Sequence, residues 1–302
     1  MKKIYLLCCS FFILYANELI TPIPMLVLHD SQKALLGKKL FFDTKLSQDD
    51  TISCASCHIL EEGGDDNLQF SFGIQGKLGT RNAPTVLNSV FNSVQFWDGS
   101  AKNLEEQAKG PIHNPVEMNS NFDEIIPKLQ KEIFYTKSFN AIYKDGITGK
   151  NIVNAIAEYE KTLITPNSRF DLFLKGDENI LTNEEKNGYK LFQDYGCVAC
   201  HNGVNLGGNL MQKMGVMEEY TTDDFGLFNT TKEEEDKFYF KVPTLRNIGQ
   251  TDPYFHNGDT KTLKEAVNKM AYYQVGYVFS PQETSDIVDF LHTLTGKLGN
   301  GK

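Results

Sequence analysis

The feature that most constrains this chain is a short motif, Cys-x-x-Cys-His, which occurs twice. The two copies are formed by Cys54, Cys57 and His58 and by Cys197, Cys200 and His201. Three kinds of site use cysteines this closely spaced: a zinc or disulfide site, a thiol redox pair, and a covalently attached haem. Each copy must therefore sit where the fold brings two thiols and an imidazole to one place.

The histidine in each motif helps to choose among these sites. Adjacent cysteine and histidine rarely both face one zinc ion, and a thiol redox pair does not explain the histidine. In haem c attachment the two thiols form thioethers with the haem, and the adjacent histidine becomes the proximal iron ligand. Four of the six cysteines lie in the motifs, and Cys8 and Cys9 lie near the N-terminus. The pattern favours two covalently bound haem c groups.

Residues 1–16 have the order of a secretory signal. An apolar run follows Lys2 and Lys3 and ends before the small residue Ala16. The run is too short to cross a bilayer as a helix, so we expect a cleaved signal, a periplasmic chain and no membrane span. Loss of the two lysines would change the formal charge from −9 to −11. Such a surface disfavours nucleic acid and attracts basic protein partners.

A second similarity precedes the motifs. Gly37 to Asp43 and Gly188 to Asp194 both read glycine, two residues, leucine, phenylalanine and, two residues later, aspartate. We expect each stretch to be a short amphipathic helix that leads into its cysteine motif. Thr182 with Glu185 has the spacing of a capping box, which predicts where the second helix starts. This internal repeat indicates two related domains.

Other patterns are helical as well. Apolar residues recur at helical spacing in "NIVNAIAEYEKTLI", and "TPNSRF" at 165–170 interrupts them. Ser280 and Glu283 form a further capping box, which predicts a last helix with an apolar inner face. That face consists of Ile287, Val288, Leu291 and Leu294.

The predicted fold class is mainly α with long loops, because alternating strand patterns are scarce. We divide the chain into a signal peptide at 1–16, an N-terminal domain at 17–167 and a C-terminal domain at 168–302. The acidic stretch "TTDDFGLFNTTKEEEDKF" is interpreted as a solvated loop without a function.

Two long stretches and the two motifs, in this order, resemble the bacterial dihaem cytochrome c peroxidases from about residue 30 onward. The stretches are "RNAPTVLNSVFNSVQFWDGSAKNLEEQAKGPIHNPVEM" and "KVPTLRNIGQTDPYFHNGDTKTLKEAVNKMAYYQ". The resemblance implies two cytochrome c-like haem domains and an enzyme that reduces hydrogen peroxide to water. Its electrons would come from a small periplasmic cytochrome c, and a homodimer is a further expectation.

The resemblance also implies roles for the iron ligands. His58 would be the proximal ligand of the peroxidatic haem and His201 that of the electron-entry haem, with Met270 as the second ligand of the latter. From the residues alone, Met211, Met214 and Met217 are equally candidates for that ligand. A tyrosine stands at the Met270 position in the related methylamine dehydrogenase maturation enzymes, so Met270 favours the peroxidase branch.

Further site residues follow from the same resemblance. Trp97 would lie between the haems, Glu117 would be the acid of the peroxide pocket, and Gln107 would orient peroxide by a hydrogen bond. His256 would lie near the second haem and hold a propionate. The expected oxygen donors of a calcium ion between the domains are Asn82, Thr251 and Pro253.

The sequence departs from the family at one position. Many members hold the peroxidatic haem closed at rest with a distal histidine, and Ile74 stands at that position here. Because isoleucine cannot bind iron, we expect a site that is open at rest and active without prior reduction. Gln75, Lys77 and His113 are the alternative ligands. Two rival functions are an electron-transfer protein without peroxidase activity and an oxidase acting on a protein substrate.

Overall fold

The computed structural model describes residues 19–299, so the predicted signal peptide at 1–16, with Cys8 and Cys9, lies outside the described residues. The described chain is mainly helical, with one small sheet. Its helices are α1 (Ser31–Phe41), α2 (Leu104–His113), α3 (Phe122–Gln130), α4 (Ile133–Ile142), α5 (Gly149–Glu160), α6 (Arg169–Leu174), α7 (Asn183–Asp194), α8 (Phe228–Thr231), α9 (Leu263–Met270) and α10 (Pro281–His292). Within 19–299, no helix has the length and apolar character needed to cross a membrane.

The sheet consists of two short antiparallel strands, β1 (Met211–Lys213) and β2 (Tyr239–Lys241). Met211 pairs with Lys241, and Lys213 pairs with Tyr239. Most of the remaining chain is loop and short 3-10 turns, so the prediction of a mainly helical protein with long loops is confirmed.

Three helix starts show why the sequence folds locally as it does. Thr182 caps α7 and Ser280 caps α10, each through the capping box expected from a glutamate three residues later. Asp30 caps α1 by accepting hydrogen bonds from the backbone N–H groups of Gln32 and Lys33. These caps satisfy backbone donors that have no partner inside a helix.

The first hydrophobic core forms where α1 crosses α5. Gly37 makes this crossing close, because a Cβ at that position would lie 1.8 Å from the carbonyl oxygen of Ala155 and 3.0 Å from Cβ of Tyr159. Buried side chains from α1 to α5 fill the space around the crossing. The first cysteine motif follows α1 and is held against this core.

The second core repeats the same contact. Where α7 crosses α10, a Cβ at Gly188 would lie 1.8 Å from the carbonyl oxygen of Asp286 and 2.9 Å from Cβ of Phe290. The glycines of the internal repeat are therefore the positions at which each motif-bearing helix touches its partner. The fold contains two hydrophobic cores, one for each predicted domain, while the boundary at 167/168 stays a prediction.

An N-terminal segment crosses to the second domain. Ile20 is buried in the second core and pairs with Gly203. A fully buried ion pair lies beneath it, in which Arg246 Nη1 is 2.7 Å from Asp171 Oδ1. Arg246 Nη2 also donates to the carbonyl oxygen of Thr21 at 3.0 Å, and the N–H of Ile23 donates to Asp171 at 3.2 Å. The second domain is thus completed by residues from the beginning of the described chain.

Candidate haem pockets

Each cysteine motif opens onto a cavity. The first cavity, of about 710 Å³, is lined by Cys54, Cys57 and His58. The second, of about 500 Å³, is lined by Cys197, Cys200 and His201. Both volumes lie within the range of about 300–1,000 Å³ typical of small-molecule and cofactor sites. The motifs therefore stand at the walls of two cofactor-sized spaces.

The two motif histidines are oriented in the same way. His58 Nδ1 lies 3.0 Å from the carbonyl oxygen of Gly64, and His201 Nδ1 lies 3.2 Å from that of Leu206. A carbonyl only accepts, so Nδ1 carries the proton and Nε2 is left with a free lone pair. Burial lowers the pKa of both imidazoles, to about 4 for His201, which keeps them neutral. A neutral imidazole with a free Nε2 is the form that binds iron.

The cysteines fit thioether attachment better than the other two kinds of site. All four are free, so they form no disulfide. Burial raises the pKa of Cys57 and of Cys197 to about 11, which disfavours the thiolate that redox exchange needs. Among residues 19–299, no three histidine, cysteine or acidic side chains converge to hold a metal ion in the manner of a zinc site. The residues of both cavities thus fit a haem c group.

The wall of the first cavity carries polar groups on α2 and the loop after it. Leu104, Gln107, Ala108 and Pro111 face the cavity with the spacing of one helix face. Glu117 lies on the same wall, and its Oε1 accepts a hydrogen bond of 2.6 Å from Asn114 Nδ2. Burial raises the pKa of Glu117 although this hydrogen bond opposes the shift. The two predicted pocket residues, Glu117 and Gln107, therefore share the cavity of His58.

The loop that contains Ile74 is fastened outside the first cavity. The N–H of Ile74 donates to the carbonyl oxygen of Glu117 at 2.8 Å, and the Ile74 side chain is fully buried without lining the cavity. Lys77 Nζ donates to the carbonyl oxygen of Pro115 at 2.9 Å, and Gln75 is exposed. His113 is the exposed last residue of α2 rather than a loop residue, and packs against Phe122. None of these alternative ligands reaches the cavity, where His58 is the only histidine among the described residues.

The second cavity is lined mainly by apolar side chains of the second core, including Phe192, Ile287 and Leu291. Met270, the last residue of α9, lies on its wall, and so does Met214. Met211 and Met217 do not line this cavity. Met211 lies close to Gly99, and Met217 lies close to Gly276. The four methionine candidates are thus reduced to two that line the cavity.

One segment separates the two cavities. Residues 82–85 and Trp97 line both of them. Trp97 is buried, and its Nε1–H donates to the carbonyl oxygen of Asn82 at 2.9 Å. His256 lines the second cavity, where its ring stacks on Phe240 at 4.2 Å, and its carbonyl oxygen accepts from the N–H of Asn82 at 2.8 Å. The indole is therefore fixed in the partition between the motifs.

An ion-pair cluster that the sequence analysis missed borders the first cavity. Arg81 donates through Nε and Nη2 to both carboxylate oxygens of Asp224, at 2.7 and 2.9 Å, and through Nη1 to Asp98 at 2.6 Å. Asp224 belongs to the acidic stretch interpreted as a purely solvated loop, and that interpretation is wrong for this residue. A bidentate pair fixes the loop against the first domain. Sequence spacing gave no signal, since Arg81 and Asp224 are far apart in the chain.

The burial of two further charged side chains was also not predicted from the sequence. Lys241 lines the second cavity, and burial lowers the pKa of its ammonium to about 8. Glu160 lines the first cavity, burial raises its pKa to about 8, and its Oε2 has no hydrogen-bond partner in the described chain. Lys241 begins the stretch "KVPTLRN", and Glu160 lies near the end of an apolar helix pattern. Neither sequence context predicts a buried charge.

The predicted calcium donors all line the second cavity. Asn82 comes from the first domain, and Thr251 and Pro253 come from the second domain. Their side-chain and backbone oxygens are of the hard type that calcium prefers, so the donor set suits this ion.

Comparison with known proteins identifies the family. Residues 31–179 match the family described as di-haem cytochrome c peroxidase, and residues 185–295 match the cytochrome c family. The cytochrome c peroxidase of Escherichia coli strain K12 is 50% identical over 288 residues, which cover 93% of this chain and 62% of that protein. The chain thus spans less than two thirds of this relative's length.

Two further similarities cover both partners more completely. The cytochrome c551 peroxidase of Nitrosomonas europaea is 48% identical over 94% of this chain and 86% of that protein. The crystal structure of a MauG-like protein associated with microbial copper homeostasis superposes with a TM-score of 0.80 at 26% identity, covering 95% of this chain and 96% of the other. The chain therefore belongs to the bacterial di-haem cytochrome c peroxidases, a family of oxidoreductases that act on hydrogen peroxide.

Proposed function

We propose that this chain works in the periplasm and reduces hydrogen peroxide to two water molecules with two electrons from a small cytochrome c. Peroxide is reduced in the first cavity, and electrons enter through the second. The observation that carries the proposal is the half-buried carboxyl group of Glu117, which shares a cavity with His58.

The family implies two haem c groups, and the two motifs are where they attach. Cys54 and Cys57 would hold the first and Cys197 and Cys200 the second, with His58 and His201 as iron ligands. When bound, the haems supply an iron centre for peroxide and a path for electrons. Met270 would be the second protein ligand of the haem held by His201, because it lies on the cavity wall at the end of α9.

The chain's own residues supply the proton chemistry. Ionised Glu117 takes a proton from one peroxide oxygen and returns it to the other, which leaves as water when the O–O bond breaks. The remaining oxygen takes up two electrons and two protons and becomes the second water. Gln107, on the same wall, orients the peroxide by donating a hydrogen bond, and Asn114 holds the carboxylate in place at 2.6 Å.

Electrons pass between the domains through the partition. Trp97 shortens the gap, because its indole lines both cavities and is fixed by the hydrogen bond to Asn82. His256 would hold a propionate of the second haem from its stacked position on Phe240. The net charge of −9 favours a basic cytochrome donor. A homodimer and a calcium ion at Asn82, Thr251 and Pro253 complete the proposal.

The first haem would be open at rest, with no side chain at the peroxide position. This part of the proposal rests on Ile74, which is buried outside the cavity, and on the fastening of its loop to Glu117. Gln75, Lys77 and His113 point elsewhere, so no side chain of the loop closes the peroxide position.

The test compares two starting states of the haem-loaded enzyme. Reduced small cytochrome c is mixed with peroxide and enzyme that is either fully oxidised or half reduced, and cytochrome oxidation is followed from the first milliseconds. We expect immediate and equal turnover from both states. A lag confined to the oxidised enzyme would contradict the open site while leaving the peroxidase intact. If neither state oxidised any of several reduced cytochrome donors with peroxide, the result would instead support an electron-transfer protein.

A further inference from the structure

One buried carboxylate is unused by the proposed reaction. Asp65 is 1% exposed, and its Oδ1 has no hydrogen-bond partner among the described residues. Its electrostatic neighbours are also acidic: Asp66, Asp252 and Glu62 all act to raise its pKa, and burial does so most strongly. A buried anion surrounded by anions is costly unless a cation faces it. An ionised Asp65 would therefore be stabilised by a cation beside it.

Asp65 lies where the two domains meet. It lines the second cavity, as do Asn82, Thr251 and Pro253. The loop before it is in close contact with the second domain, since a Cβ at Gly63 would lie 2.8 Å from the carbonyl oxygen of Gln250. The unpaired carboxylate oxygen thus belongs to a residue of a cavity that both domains line.

We propose that Asp65 Oδ1 is a further oxygen ligand of a divalent cation held between the two domains, and that this cation thereby acts on the orientation of His58. The inference rests on the proposed calcium site and adds a charged ligand to it. A carboxylate beside amide and carbonyl oxygens is a donor set suited to calcium, whose affinity rises with the number of charged ligands.

The connection to His58 is short. Gly64, the residue before Asp65, accepts through its carbonyl oxygen from His58 Nδ1 at 3.0 Å. Two backbone hydrogen bonds with Ile59 close the same loop. The N–H of Ile59 donates to the carbonyl oxygen of Asp65 at 3.0 Å, and the N–H of Gly64 donates to the carbonyl oxygen of Ile59 at 2.9 Å. A cation that fixes the Asp65 side chain would therefore also fix the carbonyl that orients the imidazole.

The rival explanation is that Asp65 is simply protonated. Burial and the neighbouring carboxylates raise its pKa to about 8, so an uncharged acid would need no cation. Asparagine distinguishes the two cases, because it keeps the size of the neutral acid and removes the charge. Glu62→Gln is the matched control, since it removes one charge from an exposed side chain of the same loop.

The experiment uses the haem-loaded protein after treatment with EGTA. Calcium chloride is titrated in by calorimetry for the wild type, Asp65→Asn, Asp65→Glu and Glu62→Gln. We expect one calcium per wild-type chain, an affinity at least about tenfold lower in Asp65→Asn, partial recovery in Asp65→Glu, and a change below about threefold in Glu62→Gln. The thermal unfolding midpoint without calcium checks that Asp65→Asn is folded.

A second readout follows His58. In the ferrous protein, the iron–histidine vibration of the first haem should shift as calcium binds, and this shift should follow the calorimetric affinity in each variant. Equal affinities of wild type and Asp65→Asn would overturn the inference and leave the calcium site standing. Equal losses in Asp65→Asn and Glu62→Gln would also overturn it, as a general charge effect. No binding to the wild type would mean that the proposed calcium site itself is absent.

Discussion

The two haem pockets share a frame and differ in the wall that faces the histidine. In each, a glycine on the motif-bearing helix touches a backbone carbonyl of its partner helix at the same position of the internal repeat. In each, the histidine donates through Nδ1 to a backbone carbonyl. Beyond this, the first cavity has Glu117 and Gln107 on its wall, and the second has Met270 and Met214.

This difference indicates that haem attachment and the chemistry at each haem depend on different parts of the chain. The repeated helix crossing and motif place an imidazole and two thiols beside a cavity, whatever the cavity then does. The side chains that the later segments place on each cavity wall would determine whether a polar proton carrier or a thioether faces the iron. Substitutions in the wall that faces a motif histidine should therefore alter the function of that pocket alone. Substitutions at the two helix crossings should instead lower the stability of their own domains by similar amounts.

The largest effect is expected at the first wall. Glu117→Gln should lower kcat by at least about 100-fold, because the amide cannot accept a proton from peroxide, and general acid–base groups typically contribute about 10²–10⁴-fold. Reduction of the second haem by the donor should be unchanged, which stopped-flow spectra can follow separately from steady-state turnover. Glu61→Gln, at an exposed glutamate, is the control. Near-normal turnover in Glu117→Gln would assign the proton transfer to another group.

The pH profile sharpens the same assignment. Burial raises the pKa of Glu117, and the carboxyl must be ionised to accept a proton. Activity should therefore be present above this raised pKa and be lost as pH falls through it, with an acid limb of kcat/KM above about 4.3, the ordinary glutamate value. The residual activity of Glu117→Gln should lack this limb; a limb that persists in the variant belongs to a different group.

A second change tests the other wall. Met270→Leu keeps the volume but removes the thioether, so the reduction potential of the second haem should fall by on the order of 100 mV, within the range of about 0.8 V that axial ligands control. Redox titration with optical detection measures it. Met214→Leu is the matched control on the same cavity wall and should leave the potential close to that of the wild type. The reverse outcome would make Met214 the ligand.

The smallest effects should appear in the shared frame, and they should be alike. Alanine is favoured over glycine in a helix by about 1 kcal/mol, yet a Cβ at Gly37 or Gly188 would lie 1.8 Å from a backbone carbonyl oxygen. We expect each substitution to lower the free energy of unfolding by about 1–3 kcal/mol, the usual cost of overpacking. Urea unfolding measures it, with Gly299→Ala in open space as the control. A loss in only one domain would show that the crossings are not equivalent.

Local patterns predicted much of the fold. The capping boxes at Thr182 and Ser280 start α7 and α10. On the predicted apolar face of α10, Ile287 and Leu291 are buried and Val288 is half-buried, while Leu294 is buried just after the helix ends. Such signals lie within a few residues of one another, so a single sequence contains them in full. The two motifs likewise each carry two thiols and an imidazole in five consecutive residues.

What escaped prediction depends on contacts between distant segments. Arg81 meets Asp224 across 143 residues, and Asp224 looked like one more charge in an acidic loop. Asp65, Lys241 and Glu160 resemble surface charges until the fold buries them. Burial of a charged residue is decided by tertiary packing, for which the local sequence offers no periodic signal.

The buried pair of Arg246 and Asp171 limits how the second domain can be produced as a separate module. A fragment cut at the predicted boundary would retain both side chains but lose Thr21, which accepts from the guanidinium, and Ile23, which donates to the carboxylate. It would also lose Ile20 from the core. The smallest autonomous unit is therefore discontinuous, and a fusion would need to graft residues 19–25 onto the C-terminal half through a linker.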